Sequence, residues 1–141
     1  PLSGDIVERG GWQIQEQLWE QAPLFIGDVG VTDAGNLKAN HVFHAITGGD
    51  HAADPLTMDE VVAILTRNIL EQGNSLGLKT IAMPSIGTGN RGFPIEKAAQ
   101  LMVTIAANHL AGQTSLEQVT FSVVSDGVFR AFEGLLTLLP E

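Results

Sequence analysis

The order of the predicted elements indicates an α/β fold in which helices cover a sheet of mostly parallel strands. From residue 57 onward, helical patterns alternate with short apolar, β-prone runs, and this alternation requires right-handed crossovers between parallel strands. The chain has 141 residues, of which 44% are hydrophobic and 16% charged, so it can form a packed core. This length predicts a single domain over residues 1–141.

Each element follows from a local pattern. Apolar residues at helical spacing predict the helices, and short runs of β-branched and aromatic residues predict the strands. The predicted elements are, in order, helices over residues 5–9 and 12–21, strands over 29–32 and 41–46, a helix over about 58–73, a strand over 80–83, a helix from 95, a strand over 119–124 and a helix over 128–139. Residues 33–36 predict a turn, so the first two strands should form a hairpin or lie side by side.

Caps and breakers set the boundaries of these elements. Pro23 ends the second helix, and Thr57 or Asp54 can cap the third, with Glu60 completing a capping box after Thr57. Trp12 and Trp19 lie on one helical face and should pack in the core or at an interface. The stripes predicted to face the core from the last three helices are Met58, Val61, Val62, Leu65 and Ile69, then Ile95, Ala98, Ala99, Met102, Ile105 and Ala106, then Phe129, Phe132, Leu135, Leu136 and Leu139.

Composition excludes several classes of function. A net charge of −9 disfavours general binding of nucleic acid. No apolar run approaches the roughly 18 residues of a membrane span, and no secretory signal opens the chain, so we expect no membrane partner and a cytoplasmic location. The absence of cysteine excludes thiolate catalysis and thiolate metal sites. His41 and His44 should point to opposite faces of one strand, so we predict neither a metal site nor a cofactor.

The segment SIGTGNRGFP, residues 85–94, joins a predicted strand to a predicted helix. Ligands of open α/β sheets bind at this carboxyl end of the strands. Glycines let the backbone approach an anion, and the free amides at a helix start attract one. We therefore predict a site for phosphate or pyrophosphate, with a purely structural turn as the alternative. GTGNRG satisfies G-x-G-x-x-G, but the expected acidic residue is missing downstream, and no G-K-[ST] motif exists.

The longer segment KTIAMPSIGTGNRGFPIEKAA closely resembles the loop of macro domains, a family that binds ADP-ribose. GDVGVTDAGNLKANHVFHAI, SGDIVERGGWQIQEQL and VTFSVVSDGVFRAFEGLL resemble further segments of the family, and together they cover nearly the whole chain. The resemblance implies a three-layer α/β/α fold with a mixed sheet that lacks the family's first strands.

The resemblance also implies a function, which is binding of ADP-ribose or a related pyrophosphate nucleotide. A hydrolase of ADP-ribosyl groups or ADP-ribose phosphate, and an interaction scaffold without a ligand, stay open as alternatives. No catalytic residue can be assigned, since the asparagine used by hydrolytic members has no counterpart. The ligand-binding residues implied by the match are Ser85, Ile86, Gly87, Thr88, Gly89, Asn90, Arg91, Gly92 and Phe93, together with Ser3, Gly4, Ser125 and Asp126.

Two departures from the family pattern matter. Arg91 stands where members usually carry an aromatic residue, and its guanidinium could pair with phosphate or ribose. The family also has a strand between those that here span residues 41–46 and 80–83. The two strands could pair directly, a second chain could supply a strand, or the chain could be part of a larger whole. Because an unpaired strand edge inside a sheet promotes pairing with another chain, we favour a homodimer.

Overall fold

The computed structural model describes residues 2–48, 56–89 and 92–138 of the 141-residue chain. Its elements are α1 (Leu2–Gly10), α2 (Gln13–Glu20), β1 (Val29–Asp33), β2 (His41–Ala45), α3 (Met58–Ser75), β3 (Thr80–Met83), α4 (Ile95–Ala111), β4 (Gln118–Phe121) and α5 (Asp126–Leu136). Helices and strands therefore alternate from α3 onward, which confirms the predicted α/β fold. None of the described helices is both long enough and apolar enough to span a bilayer.

The first two strands form an antiparallel hairpin, as the turn predicted. Gly30 lies opposite His44 in its register. Two glutamine side chains of α2 cover the outer edge of β1. The Gln17 amide bonds both the Asp33 main-chain N–H and its carboxylate, at 2.8 and 2.9 Å, and Gln21 likewise bonds both main-chain groups of Val31. These side chains satisfy main-chain groups that an edge strand otherwise leaves open.

The second sheet pairs β3 and β4 in parallel, with Ile81 opposite Val119. Helices α3, α4 and α5 pack on this pair and supply most of the main core. That core contains Val61, Val62, Leu65, Ile69, Leu70, Met83, Ile86, Phe93, Ala98, Ala99, Met102, Val103, Ala106, Leu116, Val128 and Phe132. Thr57 caps α3 by accepting a hydrogen bond from the Glu60 amide at 3.2 Å, as predicted. Asp54, the alternative cap, lies outside the described residues.

Predictions about the end of β4 and about two residues of α5 are wrong. Strand β4 ends at Phe121, and Val124 is fully exposed, because the chain has already left the ladder there. Phe129 and Leu136 are 53% and 45% exposed, since α5 buries a narrower stripe, with Phe132 packing on Phe121 at 4.8 Å between ring centroids. Leu139 lies outside the described residues.

The tryptophans also differ from the prediction of core packing. Trp12 and Trp19 are 56% and 58% exposed, and their rings meet edge to face with centroids 5.3 Å apart. Helix α2, which contains Trp19 and has Trp12 as its N-cap, buries Ile14 instead. An interface role for the two rings stays a prediction.

The two sheets remain separate, so the direct pairing considered from the sequence does not occur. Strand β2 pairs only with β1, and β3 only with β4, within the described residues. Between β2 and β3 lies a cavity of about 620 Å³, bordered by both strands and by α1 and α3.

Candidate functional site

The candidate site is the glycine loop, defined as residues 85–93, which connects β3 to α4. Two backbone hydrogen bonds shape it: Phe93 donates to the Gly87 carbonyl at 2.9 Å, and Gly92 donates to the Gly89 carbonyl at 3.0 Å. The hydroxyls of Ser85 and Thr88 also share a hydrogen bond of 2.5 Å. The loop is therefore folded on itself at the carboxyl end of a parallel strand, where α/β proteins bind ligands.

Apolar side chains anchor the loop to the core from both sides. Ile86 and Phe93 are each only 6% exposed. The Ile86 amide is buried as well, and it donates to the Met102 sulfur of α4 at 3.4 Å. Gly87 has a φ of +80°, and a Cβ there would lie 2.8 Å from the Met58 methyl group. Glycine is needed at this position both for its dihedral angle and for the close approach of α3.

Three consecutive amides of the loop are left free by this arrangement. The main-chain N–H groups of Gly87, Thr88 and Gly89 have no acceptor among the residues that the structure describes. Gly89 is exposed, and no atom lies within 4 Å of a Cβ built on it. Successive free amides can bind an anion without any lysine or arginine.

The start of α4 lies directly after the loop. Pro94 is its N-cap, one position before the first helical turn where the sequence indicated it, and the first intrahelical bond is Ala98 N–H to the Pro94 carbonyl at 3.0 Å. Lys97 forms an exposed ion pair with Asp59 of α3, with Nζ 3.1 Å from Oδ2. The charge of Lys97 is thus partly offset, and the described part of the loop relies on amides and the helix dipole for positive potential.

Comparison with known proteins identifies the family. The family model described as "Macro domain" matches residues 1–102. The chain belongs to the macro domain family. A macro domain-containing protein of Caldanaerobacter subterraneus is 34% identical over 139 residues, which cover 93% of this chain and 76% of that protein. An uncharacterized protein of Mycobacterium tuberculosis is 35% identical over 138 residues, covering 96% of this chain and 36% of the relative. The chain thus spans about a third of the length of the mycobacterial relatives.

Solved structures show the same fold. The Trypanosoma brucei macrodomain in complex with ADP-ribose matches with a TM-score of 0.85 at 18% identity, over 96% of this chain and 56% of that one. The Oceanobacillus iheyensis macrodomain with ADP matches with a TM-score of 0.77 at 23% identity, over 97% of this chain and 75% of that one. At these identities the likeness concerns the fold. It confirms the macro-domain fold that the sequence motifs indicated.

The remaining ligand-binding candidates of this macro domain lie in three places. Ser125 caps α5 by accepting a hydrogen bond from the Val128 amide at 3.3 Å, and Asp126 is the first residue of that helix, exposed. Ser3 and Gly4 are exposed in the first turn of α1. Asn90 and Arg91 lie outside the described residues. Contact of any of these residues with a ligand stays a prediction.

The histidines have structural surroundings. His44 Nε2 lies 2.9 Å from the Thr32 hydroxyl, which donates its own proton to the Asp33 carbonyl at 2.9 Å. Nε2 of His44 therefore carries a proton and donates to Thr32. Burial lowers the pKa of His44 below 6.5. Among the residues that the structure describes, no three histidine or carboxylate side chains cluster in a way that could hold a metal ion.

Two structural features, one in the site and one at the hairpin, were missed by the sequence interpretation. Met102 was assigned only to the apolar stripe of α4, yet its sulfur also accepts the Ile86 amide. The hydrogen bonds of Gln17 and Gln21 to β1 were not predicted. The spacing of Gln17 and Gln21, four residues apart and hence on one helical face, was the available signal for the second feature.

Proposed function

We propose that this macro domain binds ADP-ribose, or a closely related pyrophosphate nucleotide, through the glycine loop. The observation that carries the proposal is the row of free amides at Gly87, Thr88 and Gly89, next to the start of α4. A pyrophosphate needs several hydrogen-bond donors at close range, and a chain of net charge −9 offers few cationic side chains for this purpose.

Relatives of the same fold support this choice of ligand. The matched trypanosomal structure is a complex with ADP-ribose, and the Oceanobacillus macrodomain was solved with ADP. Both ligands carry a pyrophosphate linked to adenosine. The shared family and fold make this chemistry the first to test with the present chain.

Binding is proposed ahead of hydrolysis because the loop supplies donors for an anion, whereas no described feature is assigned to activate a water. The interaction-scaffold alternative differs from both in predicting no nucleotide affinity. The expected cytoplasmic location and the homodimer stay predictions.

The experiment is isothermal titration calorimetry with ADP-ribose, run beside AMP and ribose 5-phosphate. We expect saturable binding of ADP-ribose and much weaker binding of the two monophosphates, which lack the pyrophosphate. Absence of heat with ADP-ribose in a folded sample would overturn the proposal in favour of the scaffold. Turnover of a mono-ADP-ribosylated protein, measured in parallel, would favour the hydrolase.

A further inference from the structure

Two tryptophan rings form an exposed corner on α2. Trp12 and Trp19 are the only tryptophans of the chain, and each is more than half exposed. Their ring planes meet at 81°, with centroids 5.3 Å apart. Two nearly perpendicular ring faces therefore form the walls of one open corner. We call this surface, made by Trp12 and Trp19, the tryptophan corner.

The tryptophan corner points away from the hairpin. Trp12 has helical dihedral angles and its carbonyl accepts the Glu16 amide at 3.2 Å, so helical spacing holds from Trp12 onward. Gln21 follows Trp12 by nine residues, or two and a half turns of helix, and it bonds to Val31 of β1. The two tryptophans thus lie on the side of α2 opposite to β1. Exposed aromatic residues of this size are enriched where a protein contacts a partner.

Carboxylates border the tryptophan corner. Glu16 lies four residues after Trp12 and three before Trp19, so its Cβ is about 5–6 Å from those of both tryptophans. Glu20 lies one turn further along the helix, and both glutamates are exposed. No lysine or arginine forms an ion pair with either glutamate within the part of the chain that the structure describes. Since like charges at this spacing repel each other, a cation at the corner would be stabilised by both carboxylates.

The geometry of the rings suits a cation as well. The face of an aromatic ring attracts a cation that lies within about 6 Å of the ring centroid, and the tryptophan ring does so most strongly. Because the two centroids are 5.3 Å apart and the planes nearly perpendicular, one cation can satisfy this distance for both rings. The net charge of −9 adds long-range attraction for a basic partner.

The glutamate beside the rings favours one type of cation. The guanidinium group of arginine is planar, so it can stack on an aromatic ring while its N–H groups donate to a carboxylate. The ammonium group of lysine is a strongly hydrated point charge and stacks less well. A quaternary ammonium group has no N–H and would leave the carboxylate without a hydrogen bond. Arginine therefore makes the fullest use of the two rings and Glu16.

We propose that the tryptophan corner binds an arginine side chain from a basic segment of a partner protein. The guanidinium stacks on an indole ring and donates to Glu16, while Glu20 attracts a further basic residue of the same segment. The complementarity of charge and the perpendicular ring faces carry this proposal. The corner includes no residue of the glycine loop, so this binding is independent of the nucleotide proposal.

The test is a fluorescence titration of the whole chain with the peptide acetyl-Gly-Arg-Gly-Arg-Gly-amide. Because both tryptophans of the chain belong to the corner, their emission reports its occupancy directly. We expect saturable binding, at least about threefold tighter than that of control peptides with lysine or trimethyllysine in place of arginine. All three peptides carry the same charge. Equal or tighter binding of either control peptide, or no saturable binding, would overturn the proposal.

Substitutions locate the binding. Glu16→Gln and Glu71→Gln change the net charge equally, but only the first should weaken binding of the arginine peptide, at least about threefold. Trp12→Leu should weaken it as much, with Trp19 as the remaining reporter, whereas Phe129→Leu on α5 should not. Every substituted residue is exposed, so all variants should keep the melting temperature. Equal losses of affinity within either pair of variants would overturn the proposal.

Discussion

The Phe93 amide donates a hydrogen bond of 2.9 Å to the Gly87 carbonyl, and this bond closes the glycine loop. Because Phe93 is buried in the main core, the bond ties the mouth of the loop to α3 and α4. The amides of Gly87, Thr88 and Gly89 are thereby held in place before any ligand arrives. Such preorganisation lowers the entropy cost of binding.

Gly89→Glu should weaken nucleotide binding strongly without unfolding the protein. The position is exposed and open, and its φ is not in the left-handed region, so the side chain fits but places a carboxylate beside the free amides. We expect affinity for ADP-ribose to fall at least about tenfold, with an unchanged melting temperature. Gly134→Glu on α5, also in open space, is the control. Equal affinity in both variants would remove the loop from the site.

Met102→Leu should destabilise the loop more than its volume change explains. Leucine fills the space but cannot accept the Ile86 amide, which would be buried without a partner. We expect the free energy of unfolding to fall by about 2 kcal/mol and the Ile86 amide to exchange its hydrogen faster. Met83→Leu is the matched control, since its sulfur accepts no described hydrogen bond, and it should cost less than about 1 kcal/mol. Urea denaturation measures the stability of both variants. Equal losses of unfolding free energy would contradict the role of the Met102 sulfur as an acceptor.

Gly35→Ala should destabilise the contact between the hairpin turn and α1. Gly35 has a φ of +55°, and a Cβ there would lie 2.1 Å from the Gly10 carbonyl oxygen. We expect a loss of about 3 kcal/mol in urea denaturation, from strain and steric overlap together. Gly77 has a similar φ of +70°, and no atom lies within 4 Å of a Cβ built on it. Gly77→Ala should therefore lower the free energy of unfolding by about 1 kcal/mol, from backbone strain alone. A Gly35→Ala loss no larger than that of Gly77→Ala would refute the close contact.

Stability should fall as pH is lowered through the range in which His44 titrates. Burial lowers the pKa of His44 in the folded state below 6.5, so between the two pKa values the unfolded chain binds more protons. The stabilisation is present above pH 6.5 and is lost as pH falls toward the folded pKa. His44→Gln removes this titration, and urea midpoints measured against pH should decline less steeply. Identical slopes would exclude His44 as their source.

Much of the C-terminal half could be predicted because its helices carry apolar stripes of the correct period. Val61, Val62 and Leu65 are buried as their spacing required, and Thr57 caps α3. The outward orientation of Phe129 could not be read from the pattern, since a helical stripe says which residues share a face and not how wide a neighbour covers it. For the same reason, the shared face of Trp12 and Trp19 could be predicted but their exposure could not.

The place of the site could also be predicted, because glycines between a strand and a helix indicate a binding loop at a known edge of the sheet. The sequence could not predict which amides of the loop remain free. Gly92 and Phe93 donate hydrogen bonds within the loop while Thr88 does not, and the difference depends on the backbone dihedral angles. The separation of β2 from β3 came only as an implication of the family resemblance, because edge pairing is a long-range property.

The central claim is that the free amides of the glycine loop bind an anionic nucleotide. Its most direct test is an NMR titration of the isotopically labelled protein with ADP-ribose, following each backbone amide. We predict that the amides of Gly87, Thr88 and Gly89 shift most and saturate together, while that of Phe93, bonded to Gly87, shifts less. Saturable shifts confined to other parts of the chain, with these three amides unmoved, would contradict the account.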